Sequence, residues 1–115
     1  MSLPTGNYRA VLLYAKRHGG RNFYTLDFIL TESGERERAV VLFEDMPQVF
    51  SASRFVIREG GIWSPVDPTV KQPVVTLSLS YNAKWESTRA LSAARTGLTT
   101  ACDIKAPVKL HYEDF

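Results

Sequence analysis

The side chains that most often carry catalysis are few in this sequence. Two histidines, His18 and His111, could each act as an imidazole base, and one cysteine, Cys102, could act as a nucleophile. They lie far apart along the chain, and no cysteine pair or His-Glu motif offers the spacing of a metal site. The serines lack a nucleophile elbow, and the glycine pairs at residues 19–20 and 60–61 lack the Lys-Ser or Lys-Thr of a phosphate loop. We therefore expect no catalytic residue, no metal, no cofactor and no enzymatic activity.

Basic and aromatic side chains, in contrast, occur close together in two stretches, residues 14–23 and residues 84–89. Cations can follow the phosphates of a single nucleic-acid strand while rings stack on its bases, each ring for roughly 1 to 3 kcal/mol. The predicted nucleic-acid-binding residues are Tyr14, Lys16, Arg17, Arg21, Phe23, Trp63, Lys84, Trp85 and Arg89. The alternative for these residues is a solvated hairpin tip together with aromatic rings that belong to the core.

Two long strands joined by a glycine turn must position the first of these stretches. Residues 8–16 and 23–31 are rich in β-branched, aromatic and leucine side chains, which is typical of strands. The glycine pair between them supplies the positive φ angles of a tight reversal, so we expect a hairpin with a basic tip. The residues of the second strand expected to face the core are Tyr24, Leu26, Phe28 and Leu30.

The middle of the chain predicts a third strand, a short helix and a second glycine hairpin. Residues 36–43 form the strand, whose centre is apolar enough to be buried on both sides. Asp45 is the candidate helix cap, and Pro47 suits the first turn. Residues 54–58 and 62–63 then flank the second glycine pair as two short strands.

The last third of the chain mixes clear and ambiguous signals. The prolines of residues 64–73 predict a surface loop, and the alternation of residues 74–81 predicts a strand. Residues 82–96 could form a helix capped by Asn82 or, nearly as well, a mobile irregular segment. A final short strand is predicted at residues 107–112.

The composition indicates one ordinary globular domain. The chain has 115 residues, 44% of them hydrophobic, and we expect a single domain over residues 1–115. The net charge of +2 is too small to make the whole surface a polyanion binder. One cysteine cannot form an internal disulfide, which favours a reducing compartment. With no signal-peptide pattern and no apolar run near the roughly 18 residues of a membrane span, we expect a soluble cytoplasmic protein that does not associate with membranes.

The order of the predicted elements is similar to that of an OB barrel. Residues 38–43 and 55–60, an apolar strand and a glycine-marked strand separated by a short helix, resemble the middle of bacterial single-stranded-DNA-binding proteins and their primosomal relatives. The resemblance covers residues 8–63, about half the chain. The acidic end, residues 113–115, is similar to the tail through which such proteins recruit partners, but the long spacer before it is missing, and the proline-rich loop also departs from the family. We expect a mostly β fold with one or two short helices, built as an OB-like barrel or meander of five to seven strands.

Three functions are compatible with these features. The first is a non-enzymatic OB-like domain that binds single-stranded DNA or RNA, as a homo-oligomer because one copy offers a small surface. The second is a protein-interaction or assembly module of phage or mobile-element type, which pairs through a sheet edge and presents an apolar patch on the strand at residues 75–81. The third is a ligand pocket inside a barrel, lined by Trp63, Trp85 and tyrosines. Binding that weakens with salt would favour the nucleic-acid-binding domain. Large oligomers would favour the assembly module, and a co-purifying ligand would favour the ligand pocket.

Overall fold

Seven strands and one helical segment make up the computed structural model of the protein, which describes residues 3–17, 19–66 and 71–99. The strands are β1 (Gly6–Arg17), β2 (Phe23–Leu30), β3 (Arg36–Leu42), β4 (Phe55–Arg58), β5 (Ile62–Pro65), β6 (Pro73–Asn82) and β7 (Ser87–Thr99). The helical segment covers residues 43–53, where α1 (Met46–Phe50) lies between the 3-10 turns Phe43–Asp45 and Ser51–Ser53. The fold is mostly β, which confirms the prediction.

Five of the strands form a nearly closed ring. Its order is β1, β2, β3, β7, β6 and back to β1, because β1 pairs with β2 through residues 10–17 and with β6 through residues 6–10. The pairs in the ring are antiparallel except that of β3 with β7, which is parallel and joins Val40 to Arg89. This arrangement is the small OB-like barrel that the sequence predicts.

The β4–β5 hairpin extends the sheet beyond the ring. β5 pairs with Ala15 and Lys16 at the end of β1, and β4 is the outermost strand, paired with β5. The reversal between them places Gly60 at φ 76° and Gly61 at φ 70°, a left-handed conformation that glycine adopts without a steric clash. The second glycine hairpin is therefore confirmed, although β5 runs on to Pro65, into residues that the sequence assigned to a loop.

The interior of the ring is filled by alternate side chains of its strands. On β2, Tyr24, Leu26 and Phe28 are at most 5% exposed, and Leu30 packs against them at the rim, as predicted. Fully burying a leucine or phenylalanine stabilises a fold by roughly 1.5 to 3 kcal/mol. The main core cluster therefore fills the ring interior, and Val11 and Ile29, paired on the other side of β1 and β2, are buried as well.

The helical segment packs against β7 and connects β3 to the β4–β5 hairpin. Pro47 lies in its first turn, and Val49 and Phe50 are buried. Asp45 precedes α1 but makes no capping hydrogen bond, because its carboxylate accepts one from Arg89 instead. The helix is thus where the sequence predicts it, but the predicted role of Asp45 as its cap is wrong.

The centre of β3 is buried on one side only, contrary to the prediction. Val41 is fully buried, whereas Val40 and Leu42 are half-buried, and the following Phe43 is 37% exposed. Successive side chains of a strand point to opposite faces, and only one face of β3 meets the ring interior. The apolar run therefore places Val40 and Leu42 on the outside of the ring.

The predicted helix or irregular segment at residues 82–96 is also wrong, because β7 occupies most of it. Oδ1 of Asn82 accepts hydrogen bonds from the backbone N–H groups of Lys84 and Trp85 and so closes a turn rather than capping a helix. β7 then pairs with β6 along its length, with Ala90 fully buried in the core. This pairing supplies backbone partners to β6, a tertiary effect that outweighs the helix propensity of alanine.

Several predictions fall outside the described residues. They are the strand at residues 107–112, the acidic end at residues 113–115, and the chemistry of His18, Cys102 and His111. Within the described ranges, no helix is long and apolar enough to cross a membrane.

Candidate nucleic-acid interface

A surface that combines cations with aromatic rings lies on the outside of β1, β2 and β3, and we call it the outer face. A bulge in β1 turns Tyr14 and Lys16 outward and keeps Ala15 in the core. Across the pair, Tyr14 lies beside Asp27 and Lys16 beside Thr25. The outer face comprises Tyr14, Lys16, Phe23, Thr25, Asp27, Arg36, Arg38 and Val40. Three of the predicted binding residues belong to this set.

Asp27 is the electrostatic centre of the outer face. Its side chain is 3% exposed and lies 2.9 Å from a terminal nitrogen of Arg36 and 3.4 Å from Nε of Arg38. Arg36 also donates a hydrogen bond of 3.1 Å to the hydroxyl of Tyr14 and stacks over its ring at 5.6 Å. Asp27 therefore orients two arginines and one ring, and it neutralises part of their positive charge.

The hairpin tip, whose described residues are 17 and 19–22, carries further cations beside the outer face, although Arg17 lies on the Tyr24 side of the sheet, opposite Lys16. The guanidinium of Arg17 lies 5.2 Å from the centre of the Phe43 ring. Arg17, Lys16 and Arg21 are exposed, and no acid of the described residues forms an ion pair with them. These three positive charges are therefore available to an anionic partner.

The turn between β6 and β7, residues 83–86, carries the most exposed large hydrophobic side chain of the described chain. Trp85 is 70% exposed, and Nζ of Lys84 lies 5.5 Å from its ring centre. Because β7 runs parallel to β3 with Arg89 level with Val40, this turn lies beside the start of β3. The hairpin tip lies at the other end of β3, so the outer face is bordered by one basic-aromatic loop at each end.

Arg89 is held by acids of the helical segment. Its Nε is 2.8 Å from Oδ2 of Asp45, and a terminal nitrogen is 3.5 Å from Oε1 of Glu44. The hydrogen bond to Asp45 is the main cause of the raised pKa of Arg89. Burial lowers this pKa by the next largest effect, and the negative charges of Asp45 and Glu44 raise it further. Arg89 thus joins β7 to the helical segment, and its charge is largely compensated.

Trp63 lies away from the outer face, in the aromatic cluster under the helical segment. Its ring centre is 5.4 Å from that of Phe50 and 6.5 Å from that of Tyr24. Its indole Nε1 is buried and has no hydrogen-bond partner in the described part of the chain. The structure therefore groups Trp63 with the core rings rather than with the other predicted binding residues.

Sequence reasoning left out two arginines of the outer face and one ring beside the hairpin tip. Arg36 and Arg38 alternate along β3 and share the outer face with Tyr14, and Phe43 lies under Arg17. The alternation of Arg36 and Arg38 was the available signal, because residues two apart on a strand share a face. Nothing in the sequence around Phe43 indicated that its ring would be half-exposed.

The groups on this surface are of a kind that can hold an anionic partner. They are guanidinium and ammonium ions, aromatic rings and one carboxylate that is already paired. Among the described residues, no group of three or more histidine, cysteine or acidic side chains could hold a metal ion. No protein-family model, curated protein or solved structure matches the chain.

Proposed function

We propose that this protein is a non-enzymatic, cytoplasmic OB-like domain that binds single-stranded nucleic acid across the outer face. The observation that carries the proposal is the position of this face: it lies on the second and third strands of an OB-like ring and is bordered by two basic-aromatic loops. In OB folds, oligonucleotides bind on that pair of strands and on the loops after the first and fourth strands of the ring. The hairpin tip and the β6–β7 turn occupy those two loop positions here.

Binding would combine phosphate contacts with stacking. Lys16, Arg17 and Arg21 can follow the backbone of the strand, while Trp85 at the other border offers a ring to a base. The side chain of Arg38 is 72% exposed in the middle of the face, where it can contact a further phosphate. Strands lie about 4.8 Å apart, so the face and its two loops suit a short segment, near the lower end of the roughly 4 to 16 nucleotides that an OB fold covers. Because phosphate contacts and ring stacking do not distinguish one base from another, we expect binding without sequence preference.

We expect the fluorescence of Trp85 to report binding. Titration with a mixed-sequence oligonucleotide of roughly 30 nucleotides should quench it in a saturable way, and added salt should weaken the effect. Trp85→Ala should lower the affinity by about 1 to 3 kcal/mol, the usual loss when a stacked ring is removed.

The matched control is Trp85→Phe, which keeps a ring but removes the reporter. It should lose most of the quenching and retain most of the affinity, because Trp63 is packed between core rings. Quenching that persists in Trp85→Phe, or its absence in the unmodified protein, would contradict the assignment of Trp85 to the interface.

A second candidate function is an assembly module that pairs through a sheet edge. β4 is the outermost strand, and Ile57 on it is 59% exposed. Most of the predicted apolar patch on β6 is not on the surface: Val75, Leu77 and Leu79 are at most 3% exposed inside the ring, and Tyr81 at its end is 39% exposed. The edge of β4 is therefore the candidate contact, both for this function and for the homo-oligomer proposed above. Large assemblies with no change of fluorescence on addition of oligonucleotide would favour the module.

The third candidate function, a ligand pocket inside the barrel, has less support. Phe28, Leu12, Leu26 and Leu77 fill the ring interior and are at most 1% exposed. Two clefts are described on the outside, and neither is lined by Trp63 or Trp85.

A further inference from the structure

A concave surface built from other elements than the outer face lies where the helical segment, β5, β6 and β7 meet, and we call it the cleft. Its volume is about 340 Å³, near the lower limit of the roughly 300 to 1,000 Å³ of ligand pockets. Its lining includes three cations, Arg54, Lys71 and Arg95, and no acidic side chain of the described residues. A cleft with this lining attracts an anion.

The two arginines of the cleft are placed to offer hydrogen-bond donors. Nε of Arg95 donates a hydrogen bond of 2.7 Å to the carbonyl oxygen of Ala52, which fixes the guanidinium at the end of the helical segment. Arg54 follows that segment directly, and neither arginine forms an ion pair with an acid of the described residues. A guanidinium is a planar fork of donors that matches the oxygens of a phosphate or carboxylate.

Hydrogen bonds hold in place the part of the cleft wall that Pro65 and Val66 form. Arg58 donates to the carbonyl oxygens of Pro65 and Val66, both at 2.9 Å. The backbone N–H of Val66 donates to the carbonyl oxygen of Arg54 at 3.3 Å. Val66 and Pro73 give the cleft apolar surface beside its cations. These bonds fix Pro65 and Val66, and the combination of cations with apolar surface suits an anion that carries an organic body.

Ser53 supplies an independent sign of a missing partner. It lines the cleft and is 4% exposed, and its Oγ has no hydrogen-bond partner in the part of the chain that the structure describes. A buried hydroxyl without a partner is unfavourable. An oxygen of a bound anion would satisfy it.

We propose that the cleft binds the phosphate group of a small phosphomonoester of roughly mononucleotide size. Arg54 and Arg95 would hold the phosphate oxygens, Ser53 would donate to one of them, and Val66 and Pro73 would contact the organic body. This site is separate from the outer face and does not depend on the function proposed for it. The same group reaches the cleft either as a free metabolite or as the terminal phosphate of a nucleic-acid strand.

The test is calorimetric titration of the full chain with adenosine 5′-monophosphate, inorganic phosphate and adenosine. We expect saturable binding of the monophosphate, competition by inorganic phosphate, and no binding of adenosine. Arg54→Gly should weaken binding by roughly tenfold or more. This variant should fold, because Arg54 has φ 50°, a left-handed conformation that suits glycine. Arg9→Ala removes the same charge from an exposed position that belongs neither to the cleft nor to the outer face, and it should leave the affinity within about twofold.

Three results would overturn the proposal: no binding of the monophosphate or of inorganic phosphate at millimolar concentration, equal binding of adenosine, or an equal effect of Arg54→Gly and Arg9→Ala. Oligonucleotides with and without a 5′-phosphate distinguish the two sources of the group. A preference for the phosphorylated strand that Arg54→Gly abolishes identifies a strand end, and monophosphate binding without that preference identifies a free metabolite. Binding of the 5′-hydroxyl oligonucleotide should not change in Arg54→Gly, so failure of the cleft proposal is distinguishable from failure of the outer-face proposal.

Discussion

Replacing Lys16, Arg17 and Arg21 together by alanine should lower the affinity for a single-stranded oligonucleotide by roughly 10- to 100-fold at low salt. These cations project from the hairpin tip and the adjacent part of the outer face, and no acid of the described residues pairs with them. Each phosphate contact that is lost should also make the dependence on salt less steep, by about 0.7 in the slope of log K against log salt concentration. The triple variant should therefore have a slope that is smaller by about 2, measured by fluorescence anisotropy of a labelled strand.

The matched control removes three cations that lie away from the outer face. Arg9→Ala/Arg54→Gly/Lys71→Ala changes the net charge by the same amount, so a long-range effect of charge alone would act equally in both proteins. We expect the control to bind the 5′-hydroxyl strand nearly as well as the unmodified protein. Equal losses in the two triple variants would show that the hairpin tip is not a contact surface.

Phe28→Ala should be the most damaging single substitution in the ring, with a loss of about 3 to 5 kcal/mol in the free energy of unfolding. Phe28 is fully buried and is among the largest side chains that fill the interior. A domain of this size is stable by only about 5 to 15 kcal/mol. Urea unfolding followed by circular dichroism should therefore show a much lower midpoint, with an unchanged slope if both proteins unfold in two states.

Phe23→Ala is the comparison for this substitution. Phe23 lies on the outer side of the same strand and is half-buried, so its truncation opens no cavity in the core. Its loss of stability should be well below that of Phe28→Ala. Similar losses at both positions would mean that β2 does not separate an inner from an outer face as described.

The strands that alternate strictly were predictable from the sequence because their pattern has a direct physical cause. Tyr24, Leu26 and Phe28 recur at every second position, and their face of β2 points into the ring. Gly60 and Gly61 were equally informative, since both adopt the positive φ angles that a tight reversal requires.

The residues of β7 show why the rest was not predictable. Local propensity favours a helix in this alanine-rich stretch. The backbone N–H and C=O groups of β6, however, require hydrogen-bond partners, and β7 supplies them only in the assembled ring. The prediction of Asn82 as a helix cap was wrong for a related reason. An asparagine side chain that accepts hydrogen bonds from backbone N–H groups can stabilise a turn as well as cap a helix.

The candidate site was predictable in its composition but not in its grouping. The sequence alone did not distinguish Trp63 from Trp85, yet Trp63 packs against Phe50 whereas Trp85 is 70% exposed. Arg89 forms an ion pair with Asp45, which lies 44 residues away in the sequence, and no local pattern reveals such a contact. The sequence therefore indicated the cations and rings, and the tertiary structure determined which of them share a surface.

The most direct test of the proposed function is an anisotropy titration of a labelled, mixed-sequence single strand of roughly 30 nucleotides with the unmodified protein over a series of salt concentrations. Binding that uses three or four phosphates should give a slope of log K against log salt concentration of about −2 to −3. Saturable binding with such a slope is the result that we predict. A folded protein that leaves the anisotropy unchanged at low salt, or that binds with an affinity independent of salt, would contradict the proposal that the outer face holds single-stranded nucleic acid.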